Sequence, residues 1–170
     1  MTTSEKLRGW LSGRRPRDWF DGEPEIVVDR EEILIAGTIA SPDTPEDASE
    51  GQRGAALAGR VKQFREDTRE RRMAIARELE HATGRKVAWG VDVDGERTLF
   101  TNLSVPVMTR LRQPERQVLD TLVDAGVARS RSEALSWAVK LVGEHAESWL
   151  SDLRGAMEQV DKLRAQGPEL

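Results

Sequence analysis

Residues 25–39, EIVVDREEILIAGTI, hold two short apolar runs rich in Val and Ile around the polar Asp29-Arg30-Glu31. That pattern predicts two β-strands joined by a turn. The period then lengthens. From Ala55 to Ala82, Leu57, Val61, Phe64, Ile75, Leu79 and Ala82 fall near one stripe, which predicts a single helix stopped by Gly84. Alternation returns in residues 86–101, KVAWGVDVDGERTLFT, about Asp94-Gly95, a pair suited to a two-residue hairpin turn. The first hundred residues thus predict a small ββαββ layer, one helix lying on a short antiparallel sheet.

A second pattern begins at residues 104–111, SVPVMTRL. As a strand it places Val105, Val107, Thr109 and Leu111 on one face and Pro106, Met108 and Arg110 on the other. Pro114 suits a first helical turn, Val118, Leu119, Leu122 and Val123 form the stripe, and Gly126 ends the helix. Ser130 or Ser132 caps the next helix, Glu133 favours its positive end, and Ala134, Leu135, Ala138, Val139 and Val142 continue the apolar side. Beyond it Val142, Ala146, Trp149, Leu153, Ala156, Val160 and Leu163 recur at 4-3 spacing, a heptad seam. Either one helix runs from Ser132 to Arg164, reaching roughly 50 Å at 1.5 Å per residue, or a separate final helix folds back on the domain. Gly143 and Gly155 are the places to bend or break it.

The fold class expected is therefore α+β. Residues 1–24 form an N-terminal arm, 25–101 the ββαββ accessory domain, and 102–170 a strand-helix-helix module with an extended or additional final helix. Within the accessory domain residues 40–54, ASPDTPEDASEGQRG, carry two prolines, several acids and no apolar period, and are expected to be a mobile acidic linker.

Charge changes the picture more than composition does. The net charge is −4 over 170 residues, yet it is strongly segregated. Residues 1–17 balance to +4, 18–50 to −10, 53–86 to +5 and 87–170 to −3. Blocks of this kind leave a basic face available in an acidic protein. Arg60, Lys62, Arg65, Arg69, Arg72 and Arg77 decorate the outer faces of the predicted helix 55–82. The chain has no cysteine, so disulfides and thiolate metal sites play no part. It begins without the apolar stretch of a signal peptide and has no run of membrane-spanning length, so a cytoplasmic protein is expected.

Enzymatic chemistry finds little support. DVDGE at 92–96 has its Gly two positions early for a calcium loop and reads as the hairpin turn. Asp29, Glu31 and Glu32 lack a histidine or metal-ligand neighbour and read as a solvated turn, while His81 and His145 stand alone on predicted helices. Trp137 and Trp149 read as packing anchors. No phosphate loop or nucleophile elbow occurs. The expectation is a non-enzyme without cofactor or metal.

A lone strand followed by two short amphipathic helices cannot finish its own core, and a second copy is the natural remedy. RL at 110–111, followed by VLDTLVDAGVARSRSEALSWAV, resembles the ribbon-helix-helix (CopG/Arc-like) family of dimeric DNA-binding proteins over residues 104–142. The resemblance implies a homodimer whose two-stranded ribbon enters the major groove of double-stranded DNA. Met108 and Arg110 would then face base edges, and Arg112, Arg129, Ser130, Arg131 and Ser132 would hold phosphates around the second helix start. A bacterial transcriptional regulator, cytoplasmic and nucleoid-associated, is the function implied. Pro106 and Met108 on the reading face point to the alternative, a non-enzymatic dimer that keeps the module only for dimerisation. Such a dimer would meet a protein or RNA partner through the basic helix 55–82. The whole chain also resembles an uncharacterised family of high-GC Gram-positive bacteria in GRRPRDWF, VDREEI and GRKVAWG, a resemblance that carries no function with it.

Overall fold

A computed structural model describes residues 3–166 and divides the chain into two compact units, meeting at Pro106 and Val107. The first unit opens with α1 (Thr3–Arg14) and a 3₁₀ turn (Arg17–Trp19). It continues through β1 (Glu25–Val28), β2 (Glu32–Thr38), α2 (Glu50–Asp67), α3 (Arg69–Thr83), β3 (Lys86–Val93) and β4 (Glu96–Leu99). The class is mixed α+β, as expected, but the order is αββααββ rather than ββαββ.

The four strands lie in the order β1-β2-β3-β4. Each hairpin is antiparallel, whereas β2 and β3 pair in parallel, Ile33 beside Val87 and Gly37 beside Val91. Parallel neighbours require a crossover long enough to carry the chain back to the same end of the sheet. The two helices α2 and α3 are that crossover. The second hairpin turns at Asp94 (φ 51°) and Gly95 (φ 81°), left-handed positions that a two-residue turn needs and that glycine adopts without strain.

The expected single helix 55–82 is two helices, and it starts earlier. Ser49 and Gln52 close a reciprocal capping box, so residues 50–54 belong to α2 rather than to the linker. The break falls at Thr68. Its hydroxyl donates to the Phe64 carbonyl (2.6 Å) and accepts from Arg72 Nε (2.8 Å), while Arg72 Nη2 takes the Arg65 carbonyl (2.7 Å). The Thr68 backbone (φ −96°, ψ −2°) departs from helical values there, and these side-chain bonds add to the Phe64 and Arg65 carbonyls at the interruption. The remaining linker residues 40–49 form no helix or strand. They are tethered by Arg60 to the Ala40 carbonyl, by Arg53 to the Glu46 carbonyl, and by Ser41 to Asp94.

One face of the sheet carries the core. Ile26, Ile33, Ile35, Trp89, Val91 and Val93 meet Phe64, Ile75 and Leu79 from the crossover helices. The segment expected as an arm, residues 1–24, contributes Leu7, Leu11, Trp19 and Phe20 to this core. Leu7 and Leu11 of α1 are buried, and Trp19 stands edge-on to Phe20, Phe64 and Trp89 at centroid distances of 6.5, 6.2 and 5.8 Å. Phe20 stacks on Phe64 at 5.6 Å, and its ring occupies the space that a side chain at Gly37 would need. Gly37→Ala is therefore expected to lower stability by about 1–3 kcal/mol, the usual cost of overpacking a filled core. A urea unfolding midpoint unchanged from that of the parent chain would refute the close approach. On the opposite face Arg97 bridges β4 to β1, bonding Asp92 (2.7 and 2.8 Å) and Glu25 (2.6 Å). Its hydrogen bonds hold the Asp92 carboxyl below the ordinary carboxylate range.

The second unit consists of α4 (Gln113–Asp124), α5 (Arg131–His145) and α6 (Glu147–Gln166). Gly126, at φ 74°, ends the first of them, and Ser130, not Ser132, caps α5 by accepting from the Glu133 N–H (3.2 Å). Leu119, Ala128 and Ala134 are buried, with Leu111, Leu122, Val123 and Leu135 packed around them. The final segment is two helices interrupted at Ala146 (φ −113°, ψ 19°), and no residue of α6 is buried, so it is not folded back on a core.

The predicted strand at 104–111 is not formed. Residues 101–112 have no helix or strand, and Thr101–Arg110 are all exposed. A strand exists only against a partner that completes its hydrogen-bond ladder, and none of the described residues supplies one.

Candidate nucleic-acid interface

The expected reading residues lie on that extended segment. Met108 is 97% exposed and its neighbour Val107 88%, so both faces of the would-be strand stand in solvent. Leu111 alone reaches the small core of the unit. Arg110 has no hydrogen-bonding or ionic partner among the described residues. Arg112 is the N-cap residue of α4 without a side-chain cap bond, and Arg116 spends one guanidinium N–H on the Leu111 carbonyl (2.8 Å).

The helix-start arginines are placed differently. Arg131 lays its guanidinium fork on Asp120 of α4, Nε to Oδ1 at 2.6 Å and Nη2 to Oδ2 at 2.8 Å. Arg129 grips Glu133, Nε to Oε2 at 3.2 Å and Nη2 to Oε1 at 3.1 Å, while its backbone N–H donates to the same carboxylate (2.7 Å). Hydrogen bonds from Arg131 hold the Asp120 carboxyl below its usual range, and those from Arg129 do the same to Glu133. Both expected phosphate holders are therefore neutralised within the chain. Sequence offered one of these pairs, since 129 and 133 have the i, i+4 spacing of neighbours. Asp120 and Arg131 are eleven positions apart across a turn and carry no local signal.

A cleft of about 300 Å³ joins the two groups, lined by Met108, Leu111, Leu119, Arg131, Ser132 and Leu135. It brings Met108 to the start of α5, where Arg131 and Ser132 stand. Ser130 is committed to its cap, and Ser132 is exposed. Trp137 and Trp149, expected as packing anchors, are exposed in the single chain.

The basic crossover of the first unit is also only partly as expected. Arg72, placed by the periodicity on an outer face, is 6% exposed and lies over the Phe100 ring at 4.6 Å. Burial, and then the neighbouring Arg65 and Arg69, push its guanidinium down to about 10, so it stays charged at neutral pH. A groove of about 580 Å³ runs between α2 and the second hairpin, floored by Leu57, Val93 and Phe100 and edged by Arg53, Lys62 and Arg65. Among the described residues no group of acids and histidines is placed to hold a metal ion, and no helix is long and apolar enough to cross a membrane.

Comparison with known proteins divides the chain in the same two regions. Residues 5–99 match the family model described as Rv1265-like protein, N-terminal domain, and residues 112–164 match the Mb1296 C-terminal domain. Neither is a ribbon-helix-helix model. Uncharacterized protein Mb1296 of Mycobacterium bovis and Uncharacterized protein Rv1265 of Mycobacterium tuberculosis are each 62% identical over 161 residues, covering 95% of this chain and 70% of the relative. No solved structure matches the chain. Two adjoining domain matches and relatives alike over nearly the whole chain place it plainly: it belongs to the Rv1265-like family of mycobacterial proteins.

Proposed function

We propose that the chain is a homodimeric, sequence-specific DNA-binding protein, a transcriptional regulator that reads the major groove with a ribbon built from one 104–111 segment of each subunit. The observation that carries this reading is the incompleteness of the second unit. Its extended segment is exposed and pairs with no other strand, and its core buries three side chains while Val107, Val118, Val139 and Val142 stay exposed. An antiparallel pair of segments satisfies the ladder and lets α4 and α5 of two subunits cover those residues, which is a ribbon-helix-helix arrangement. Arg110, which has no carboxylate partner among the described residues, then projects from the ribbon toward base edges with Met108.

A second reading rests on the Arg131–Asp120 and Arg129–Glu133 pairs. If those guanidinium groups stay neutralised, the module serves dimerisation alone, and the basic groove of the first unit meets a protein or RNA partner. One experiment separates the outcomes. Light scattering at micromolar concentration is expected to give a dimer or a multiple of it, and selection from random double-stranded DNA is expected to enrich a two-fold symmetric site. A folded monomer overturns the ribbon. A dimer that enriches nothing overturns DNA reading and leaves the interaction protein.

A further inference from the structure

We propose that α6 is a self-association helix, pairing antiparallel with α6 of a second copy of this chain. Twenty residues of helix without one buried side chain gain little from the tertiary packing that supplies most helical stability in proteins. Its apolar residues are not scattered. Trp149, Leu153, Met157, Val160 and Leu163 leave between 43% and 67% of their surface exposed, and the seam through Ala146, Trp149, Leu153, Ala156, Val160 and Leu163 keeps strict heptad spacing.

The order of sizes along the seam selects the partner and its direction. With the two-fold axis level with Arg154 and Gly155, Leu153 faces Ala156 of the other copy and Trp149 faces Val160. Every layer sets a larger side chain against a smaller one, which fills space evenly. A parallel, in-register pair would instead stack Trp149 on itself and Ala156 on itself, crowding one layer and leaving a void two layers on. On the flank Leu150 meets Met157, apolar against apolar. Opposed helices align their dipoles favourably, whereas side-chain charge is mixed in both halves, with Asp161 held by Arg164 (3.6 Å), and selects no direction against it. Covering the seam removes on the order of 500 Å² per helix, about 1,000 Å² for the pair, which is the lower bound for a specific interface. A second copy is therefore a sufficient occupant, and the pairing requires neither DNA nor the ribbon.

Because the chain has no cysteine, introduced thiols report the geometry without background. Full-length chains carrying Leu153→Cys and Ala156→Cys, co-expressed and oxidised under native conditions, are expected to give a disulfide-linked heterodimer in high yield. Each variant alone should give at least several-fold less. Self-linking of the Leu153→Cys chain at a comparable yield would mean parallel helices and overturn the register. No link in the mixture would mean that something other than a second α6 covers the seam, and would overturn the proposal. Loss of DNA binding leaves either result unchanged, so this test and that of the ribbon fail independently.

Discussion

Trp19→Ala should lower the stability of the first unit by about 3–5 kcal/mol, the range for emptying a large aromatic site in a core. The indole touches three other rings from three places in the chain: Phe20 beside it, Phe64 on α2 and Trp89 on β3. Removing it leaves a void where the N-terminal segment, the crossover and the sheet converge, so no single element can relax into the space. The effect should appear as faster amide hydrogen exchange at Ile33–Gly37 and Ala88–Val91, the central paired strands, and as a lower denaturant midpoint for that unit. Trp10, on the same N-terminal segment but more than a third exposed, serves as the control and should cost far less when replaced by alanine. Equal effects at the two positions would mean that residues 1–24 do not belong to the core.

The second large effect concerns DNA and rests on the ribbon. Arg110→Ala is expected to weaken binding to the selected sequence by about 1–3 kcal/mol per site, hence about 2–6 kcal/mol for a dimer, and to change binding to random DNA much less. Arg131 behaves otherwise because Asp120 already holds it. Any phosphate contact by Arg131 must compete with that carboxylate. Asp120→Asn should therefore strengthen binding to all sequences alike and steepen the log–log salt dependence by up to about two units per dimer, one for each cation released. Fluorescence anisotropy over a salt series measures both. A salt slope indifferent to Asp120→Asn removes Arg131 from the phosphate-holding set, and an affinity indifferent to Arg110→Ala removes groove reading altogether.

Much of this protein was legible locally. Apolar runs marked the first two strands of the sheet and alternation the other two, Asp94-Gly95 marked the second turn, and Gly126 with Ser130 marked the boundary between α4 and α5. Each of these depends on contacts within a few residues: a turn dihedral, a cap bond, a side-chain period. The heptad seam of α6 was equally visible, since it too is a repeat along one helix.

What sequence could not express was every feature that depends on residues distant along the chain. The N-terminal helix has a weak apolar pattern, and only the aromatic cluster of Trp19, Phe20, Phe64 and Trp89 makes it part of a core. The break at Thr68 follows from burial. Arg72, driven inward over Phe100, needs acceptors there and finds the Thr68 hydroxyl and the Arg65 carbonyl. Periodicity had placed the same arginine in solvent. Asp120 meets Arg131 because α4 and α5 pack, not because of any spacing between them. Segment 104–111 shows the limit most clearly. Its alternation is that of a strand, but a strand is a relation between two segments, and among the described residues no other segment pairs with it. By itself, the sequence determined which stretches turn, coil or extend, because those choices are settled between near neighbours. Which of them become interior, paired or neutralised was decided only where distant residues meet, because burial and charge pairing are properties of that meeting.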